Sequence, residues 1–392
     1  MSSRELALCV FIDAFGWRIA ERHPQFLDGI LKVRRPLGTI FGYSCTCDPT
    51  ILTGKLPREH GHFSFFRYAP AESPFRRPEV RLLGLLPKSI TRRGRVRNAL
   101  SRWLGSRLRY TGYFQIYNVP FERLPLFDYT EKRDLYLHDG INGGCPTIFD
   151  DLRAARVPFY CSDWRRPEPE NLRTLEAAIT GSDPPRFAYL YLAAMDAVLH
   201  AEGTDSRKVT EKIAGYDRAL RRVLEIASER YDQVRLFVFS DHGMTNVVET
   251  CDLMARIDRT GLRFGEDYAA VYDSTMARFW FLRPNARERI TATLCEERKG
   301  TILSGTTLHS WGCDFPDHRY GELFFLMKPG VLLCPSFMGE TRLAGMHGFD
   351  PTDPDSLAFF GADTTLPEGD APARLDDLHS LMRKEAGLAG CA

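Results

Sequence analysis

Seven residues of this 392-residue chain combine a side chain able to hold a metal ion or act as a nucleophile with a place where a strand should end or a turn should form: Asp13, Ser44, Asp196, His200, Asp241, His242 and His347. Asp241 and His242 stand side by side in Phe239-Ser240-Asp241-His242-Gly243-Met244, directly after the apolar run Val234-Arg235-Leu236-Phe237-Val238, with a glycine to let the backbone turn. Asp13 closes the apolar stretch 6–12, Asp196 and His200 follow Phe187-Ala188-Tyr189-Leu190-Tyr191-Leu192, and His347 sits in a glycine-flanked loop. Ser44 lies in a segment rich in turn formers and hydroxyls, ahead of a short helix expected at 50–54. Taken singly, each has an ordinary alternative. Asp13 and Asp196 could cap helices, Ser44 could be an N-cap, His200 a surface imidazole, His347 a turn residue, and Asp-His-Gly a polar turn. Taken together they supply three carboxylates, three imidazoles and one hydroxyl on one edge of one sheet, where open α/β proteins bind ligands. That inventory suits two borderline cations such as zinc, or manganese with more oxygen ligands. Two such ions ~4 Å apart can clamp the attacking and leaving oxygens of a displacement at phosphorus. Ser44 is the candidate nucleophile, activated by metal coordination or by a helix N-terminus that favours a phosphate. The G-x-S-x-G pattern of a Ser-His-Asp hydrolase does not occur around it.

The elements that must position these residues alternate. Strands are expected at 6–12, 157–161, 187–192, 234–238 and 276–282, and helices at 147–155, 170–180, 205–230, 286–297 and in the tail at 375–382. Another helix is expected after Pro24, with Phe26, Leu27, Ile30 and Leu31 on its apolar side. The 205–230 helix carries Val209, Ile213, Tyr216, Leu220, Val223 and Ala227 at three- and four-residue spacing, one apolar face. Residues 322–327 and 331–333 read as a strand pair around Pro329-Gly330. The fold class is α/β, a doubly wound, mostly parallel central sheet with helices on both faces, plus an inserted cap. Residues 1–65 and 145–392 form the expected core, and 66–144 the insertion.

Composition adds bounds. The chain is 44% hydrophobic and 26% charged with a net charge of +1, so nothing pushes it globally toward nucleic acid or a membrane. No run is long enough to span a bilayer, the first apolar stretch reads as a strand and not a signal peptide, and ten scattered cysteines read as reduced thiols. The expected location is cytoplasmic, with peripheral contact to a membrane surface as an extension of it. Cys45 and Cys47 are one residue apart, not a usual zinc spacing, and are assigned to packing. Between 66 and 144, Lys88, Arg92, Arg93, Arg95, Arg97, Arg102, Arg107 and Arg109 come without an intervening acid, beside Leu82, Leu83, Leu85, Leu86, Leu100, Trp103 and Leu104. Either this is a surface for anionic lipid or another polyanion, or a solvated insertion whose leucines pack on the main body. No specific nucleic-acid signal is present, and the oligomeric state is not legible.

The order of these motifs resembles the alkaline phosphatase superfamily, and within it the nucleotide pyrophosphatase / type I phosphodiesterase branch. The residues that carry the resemblance are Asp13; Ser44 ahead of Thr53-Gly54-Lys55-Leu56-Pro57-Arg58-Glu59-His60-Gly61; Asp196-x-x-x-His200; Ser240-Asp241-His242-Gly243-Met244; and Met346-His347-Gly348-Phe349-Asp350. The resemblance spans about 5–65 and 145–382. It implies one metal held by Asp13, Ser44, Asp241 and His242, and another by Asp196, His200 and His347, most simply two zinc ions with manganese as the alternative. The nucleophile, commonly threonine in the branch, is serine here. The asparagine that the branch places shortly after its first "HG" is missing from His62-Phe63-Ser64-Phe65. Ser44-Cys45-Thr46-Cys47-Asp48 does not match the Cys/Ser-x-Pro-x-Arg run of sulfatases. The resemblance thus implies hydrolysis of a small phosphodiester or pyrophosphate through a phosphoseryl intermediate. A phosphomonoesterase or phosphonate hydrolase is the alternative within the superfamily, and a non-catalytic metal- or lipid-surface-binding module the alternative outside enzymes. A binder would have no need of Ser44.

Overall fold

The computed structural model describes residues 4–85, 93–367 and 369–388. Leu86, Lys88 and Arg92 of the leucine- and arginine-rich stretch lie outside them. The central sheet has six strands in the order Val33–Leu37, Ala358–Ala362, Gln233–Phe239, Glu5–Ile12, Phe187–Leu192, Phe159–Cys161. Glu5–Ile12 pairs in parallel with Phe187–Leu192 and Gln233–Phe239 on its two sides, and Phe159–Cys161 continues the parallel run. Ala358–Ala362 is antiparallel to both its neighbours, so it alone is reversed. The fold is the expected α/β arrangement with a mostly parallel sheet.

The near-continuous apolar character of Glu5–Ile12 follows from its two covered faces. Leu6, Leu8, Val10 and Ile12 pack with Val209, Ile213, Leu220 and Val223 of the helix Arg207–Ser228. Ala7, Cys9 and Phe11 point the other way, into a cluster with Ile51 and Leu52 of the helix Ser44–Thr53 and Leu378, Leu381 and Met382 of the helix Asp377–Glu385. Alternate residues of one strand thereby anchor helices on opposite faces of the sheet.

A second, antiparallel sheet has the order Tyr268–Tyr272, Met276–Phe281, Leu323–Met327, Gly300–Ile302. The 66–144 stretch packs onto it. Phe66, Phe75, Val80, Leu104, Phe121, Phe127 and Tyr129 share one apolar cluster with Tyr268, Ala270, Tyr272 and Phe279. The two ends of the stretch are tied by an antiparallel pair, Phe66–Tyr68 with Phe127–Tyr129. Its basic helix Gly94–Leu108 is mixed. Leu104 is buried, and the Arg97 guanidinium is buried too, donating to the Val119 carbonyl at 2.8 Å and lying over the Phe121 ring. Leu82, Leu85 and Trp103 are exposed. No helix among the described residues is long and apolar enough to cross a membrane.

Three local expectations are corrected. The segment after Pro24 forms turns, not a helix; Leu27 and Gly29 adopt positive φ, and the Leu27 N–H is taken by the Asp217 carboxylate at 2.7 Å. Val331–Leu333 does not pair with Leu323–Met327. The turn at 328–331 redirects it to lie parallel to Glu249–Cys251. The helix expected at 50–54 starts at Ser44 and ends on Gly54 at φ 65. Pro49 lies within it at the sixth position, where it removes one intrahelical N–H donor.

Candidate active site

Five separate segments bring the seven residues together beyond the carboxyl edge of the central sheet. Asp13 immediately follows Glu5–Ile12, and Asp241 and His242 follow Gln233–Phe239. Asp196 and His200 are one turn apart on the helix Ala194–Glu202, just after Phe187–Leu192. The start of that helix is pinned by Glu168, which accepts from the Ala194 N–H at 2.8 Å and from the Tyr216 hydroxyl at 2.6 Å. His347 follows Gly345–Met346, which pairs with Thr245–Asn246 and so ties the late histidine loop to the Asp241-His242 loop. Gly243 is required there, since a Cβ would stand 2.0 Å from the Asp355 carbonyl oxygen.

The ordinary alternatives for these residues are not what the geometry displays. Tyr43, not Ser44, is the N-cap of Ser44–Thr53, and the Ser44 Oγ lies 3.1 Å from His242 Nε2. Asp13 caps nothing; its Oδ2 accepts from the Tyr191 hydroxyl at 2.8 Å. His200 is mostly covered, with its ring held by the Gly345 carbonyl at 2.9 Å. Cys45 and Cys47 are buried free thiols against backbone carbonyls, in keeping with packing.

His242 Nδ1 faces the Gly243 carbonyl at 2.9 Å, which fixes a proton there and turns Nε2 inward. Around that single nitrogen stand Asp241 Oδ2 at 2.9 Å, Ser44 Oγ at 3.1 Å and Asp13 Oδ1 at 3.9 Å. This is not a relay triad, because serine and carboxylate approach the same nitrogen and not opposite ends of the ring. A second group is built on Asp196 Oδ1, with His200 Nε2 at 3.2 Å and His347 Nε2 at 3.6 Å. Asp13, Asp196 and His242 also offer donor atoms within 4.8 Å of one another, so the two groups adjoin, and the His242 and His347 rings stack at 3.7 Å. Asp13 Oδ1, Asp196 Oδ1, Asp241 Oδ2 and His347 Nδ1 are all buried without a hydrogen-bond partner. Buried polar atoms are normally satisfied; four orphans in one cluster of carboxylates and imidazoles fit the donor set of metal ions.

The charges are strongly coupled. Burial and then the neighbouring carboxylates Asp241 and Asp196 hold Asp13 well above the usual carboxylate range. Burial would raise Asp196 too, but His200, His347 and His242 outweigh it and hold it below that range. Burial disfavours the His242 imidazolium, yet Asp241, Asp13 and Asp196 push it up to about 9. His347 is depressed by burial and by the charge of His242.

The cluster opens into a cavity of about 380 Å³. Part of its wall comes from the 66–144 stretch and its flank: Phe65, Tyr113, Tyr117, Glu131 and Tyr136. Sequence reasoning did not single these out, nor Asp48 and Trp164, which also line it. Asp48 had a signal, lying one helical turn after Ser44; the wall from the insertion had none, because no periodicity placed it. Where the branch's asparagine is missing, His62 Nε2 accepts from the Asn142 N–H at 2.9 Å.

Comparison with curated proteins returns no match. Among solved structures, human ectonucleotide pyrophosphatase / phosphodiesterase 5 superposes with a TM-score of 0.70 at 14% identity, and its murine counterpart with 0.69 at 16%, each covering 99% of this chain and 96% of the other. An inactive variant of the murine protein in complex with AMP gives 0.68 at 16% identity with the same coverage. At these identities the likeness shows the fold. The profile described as type I phosphodiesterase / nucleotide pyrophosphatase matches residues 7–350. By that match, which covers most of the chain, the protein belongs to the type I phosphodiesterase / nucleotide pyrophosphatase family of phosphodiesterase-like hydrolases.

Proposed function

We propose that the chain hydrolyses a phosphodiester or pyrophosphate with Ser44 as nucleophile, beside two divalent cations, zinc foremost and manganese as the alternative. Asp13, Ser44, Asp241 and His242 would hold one cation, and Asp196, His200 and His347 the other. When bound, such ions supply Lewis-acid stabilisation of the charge on the attacking and leaving oxygens. The single observation that carries this reading is the convergence of three oxygens on one inward-facing imidazole nitrogen. A cation or a proton must lie among them, and the adjoining Asp196 group gathers two imidazole nitrogens about one carboxylate oxygen.

Ser44 stands at the first position of its helix, where unpaired N–H groups favour a phosphoryl group. Its hydroxyl loses its proton, the Oγ–P bond forms, and the P–O bond to the leaving alcohol breaks as that alcohol gains a proton. Water then cleaves the phosphoseryl ester, restoring the hydroxyl and releasing a phosphate monoester. The family, and the AMP complex of the murine neighbour, make nucleotide-type esters one class to screen.

The test is release of p-nitrophenol from bis(p-nitrophenyl) phosphate by the wild type and by Ser44→Ala, with zinc or manganese added. Turnover by the wild type and none by the variant is the expected result. Equal inertness of the two while both bind metal favours a binding module, and p-nitrophenyl phosphate turned over far faster than the diester would make the chain a monoesterase.

A further inference from the structure

Charge is segregated along this chain. From Val80 to Phe121 it carries nine lysines and arginines and no acid, while the whole sequence has 52 basic residues against 51 acids. Setting those nine aside leaves 43 against 51, so a net-acidic body carries one strongly basic segment. The helix Gly94–Leu108 presents that charge, and its inner side is fixed. Arg97, Ser101, Leu104 and Gly105 are buried, and the Ser101 hydroxyl donates to the Arg97 carbonyl at 2.8 Å and accepts from the Ile116 N–H at 3.1 Å. A Cβ on Gly105 would stand 3.0 Å from the Phe114 ring, so this side lies close against the rest of the insertion. The opposite side is thereby held toward solvent. Arg95, Arg102 and Arg109 follow one another at two-turn intervals and form a stripe about 21 Å long. Arg107 lies beside it and Arg93 is the N-cap. All five are exposed, and among the described residues none of them pairs with a carboxylate.

Apolar side chains accompany these cations. Trp103, next to Arg102 and one turn before Arg107, is 45% exposed. Leu82 and Leu85, earlier in the same acid-free segment, are 63% and 80% exposed. Arginines flanking an indole suit the headgroup level of a bilayer, where a negative surface potential attracts each cation. A duplex or a soluble polyanion would use the arginines and leave the leucines without a role. We infer that the outer face of Gly94–Leu108 docks the protein peripherally on an anionic lipid bilayer, with Arg95, Arg102, Arg107 and Arg109 over the headgroups and Trp103 at their boundary with the acyl chains. The net-acidic remainder is repelled by the same surface, which orients this face toward it. The inference is independent of the hydrolase reading.

The test sediments the full chain with vesicles of phosphatidylcholine alone and of phosphatidylcholine mixed with phosphatidylserine, at low and at high salt. The expected partition at low salt favours the anionic vesicles by about a hundredfold or more, and high salt should remove most of that preference. Replacing three arginines together, Arg95→Gln, Arg102→Gln and Arg107→Gln, should weaken binding about tenfold or more, whereas lysine at the same three positions should keep it. Trp103→Ala should weaken binding to vesicles and leave binding to heparin unchanged. Equal partition onto the two kinds of vesicle, or equal binding by the wild type and the glutamine variant, would overturn the inference. So would heparin bound as tightly as the anionic vesicles with Trp103→Ala affecting neither, because the face would then serve a soluble polyanion. Thermal melts check that the variants fold; if the glutamine variant melts early, the wild type's lipid preference and its loss at high salt decide the matter alone.

Discussion

The two halves of the active-site pocket are built by opposite strategies. On one side, Asp13, Asp241, His242 and His347 sit on short loops and Asp196 and His200 on the helix Ala194–Glu202, anchored by a sheet whose strands are buried on both faces. On the other, Phe65, Tyr113, Tyr117 and Glu131 come from a long irregular stretch held by an aromatic cluster and by the second sheet. The first half gathers donor atoms on rigid supports, which suits the positioning that phosphoryl chemistry requires. The second offers faces and charge, which suits choosing among alcohols. One frame can thus keep its reaction while the insertion changes its substrate.

Changes to the first half should be the most severe for turnover. Ser44→Ala should lower diester hydrolysis by roughly a thousandfold or more, as loss of a nucleophile does. His242→Ala should cost more than the roughly 10–100-fold that follows loss of an outer partner of a metal ligand. Steady-state assays with saturating zinc would show it, and a loss under tenfold for either would blur the division between the halves.

A change in the support of the second half should instead lower stability. The Arg278 guanidinium is fully buried, bonded to Asp273, to the Ser64 hydroxyl and to the Phe66 and Tyr320 carbonyls. It joins the second sheet to the base of the insertion. Arg278→Ala leaves Asp273 as an unpaired buried charge and should cost about 3–5 kcal/mol, measured by urea unfolding. A shift of under about 1 kcal/mol would mean that the joint is not held there.

The smallest effect concerns pH. Glu131 titrates near 8 in the folded chain and in the ordinary carboxylate range when unfolded. Between those values the folded state holds the extra proton. Its stabilising effect is therefore complete at pH below the unfolded value and is lost as pH rises toward 8. Thermal melts of the metal-free protein from pH 5 to pH 8 should fall less steeply for Glu131→Gln than for the wild type. Parallel curves would show that Glu131 is not buried as described.

The same division governs what the sequence made legible. Asp13, Asp241 and His242 could be placed on one edge because the apolar runs before them are unambiguous buried strands, and alternation of helix and strand supplied the sheet. The strand Ala358–Ala362 was missed, since Ala-Phe-Phe-Gly-Ala is short and lacks β-branched residues. The turn at 328–331 looked like a hairpin, yet long-range pairing with Glu249–Cys251 decided it. The cavity wall was not legible for a further reason. Tyr113, Tyr117 and Glu131 meet Asp48 and Trp164 only through tertiary packing of an irregular stretch, which leaves no period to read.

The claim on which the rest depends is that these loops hold two cations beside Ser44. Metal content per chain after zinc loading and desalting, by elemental mass spectrometry, tests it most directly when wild type and His200→Ala are compared. The account predicts two ions for the wild type and one for the variant, with Ser44 still beside the remaining ion. Fewer than one ion bound by the wild type, or identical content in the two proteins, would contradict it.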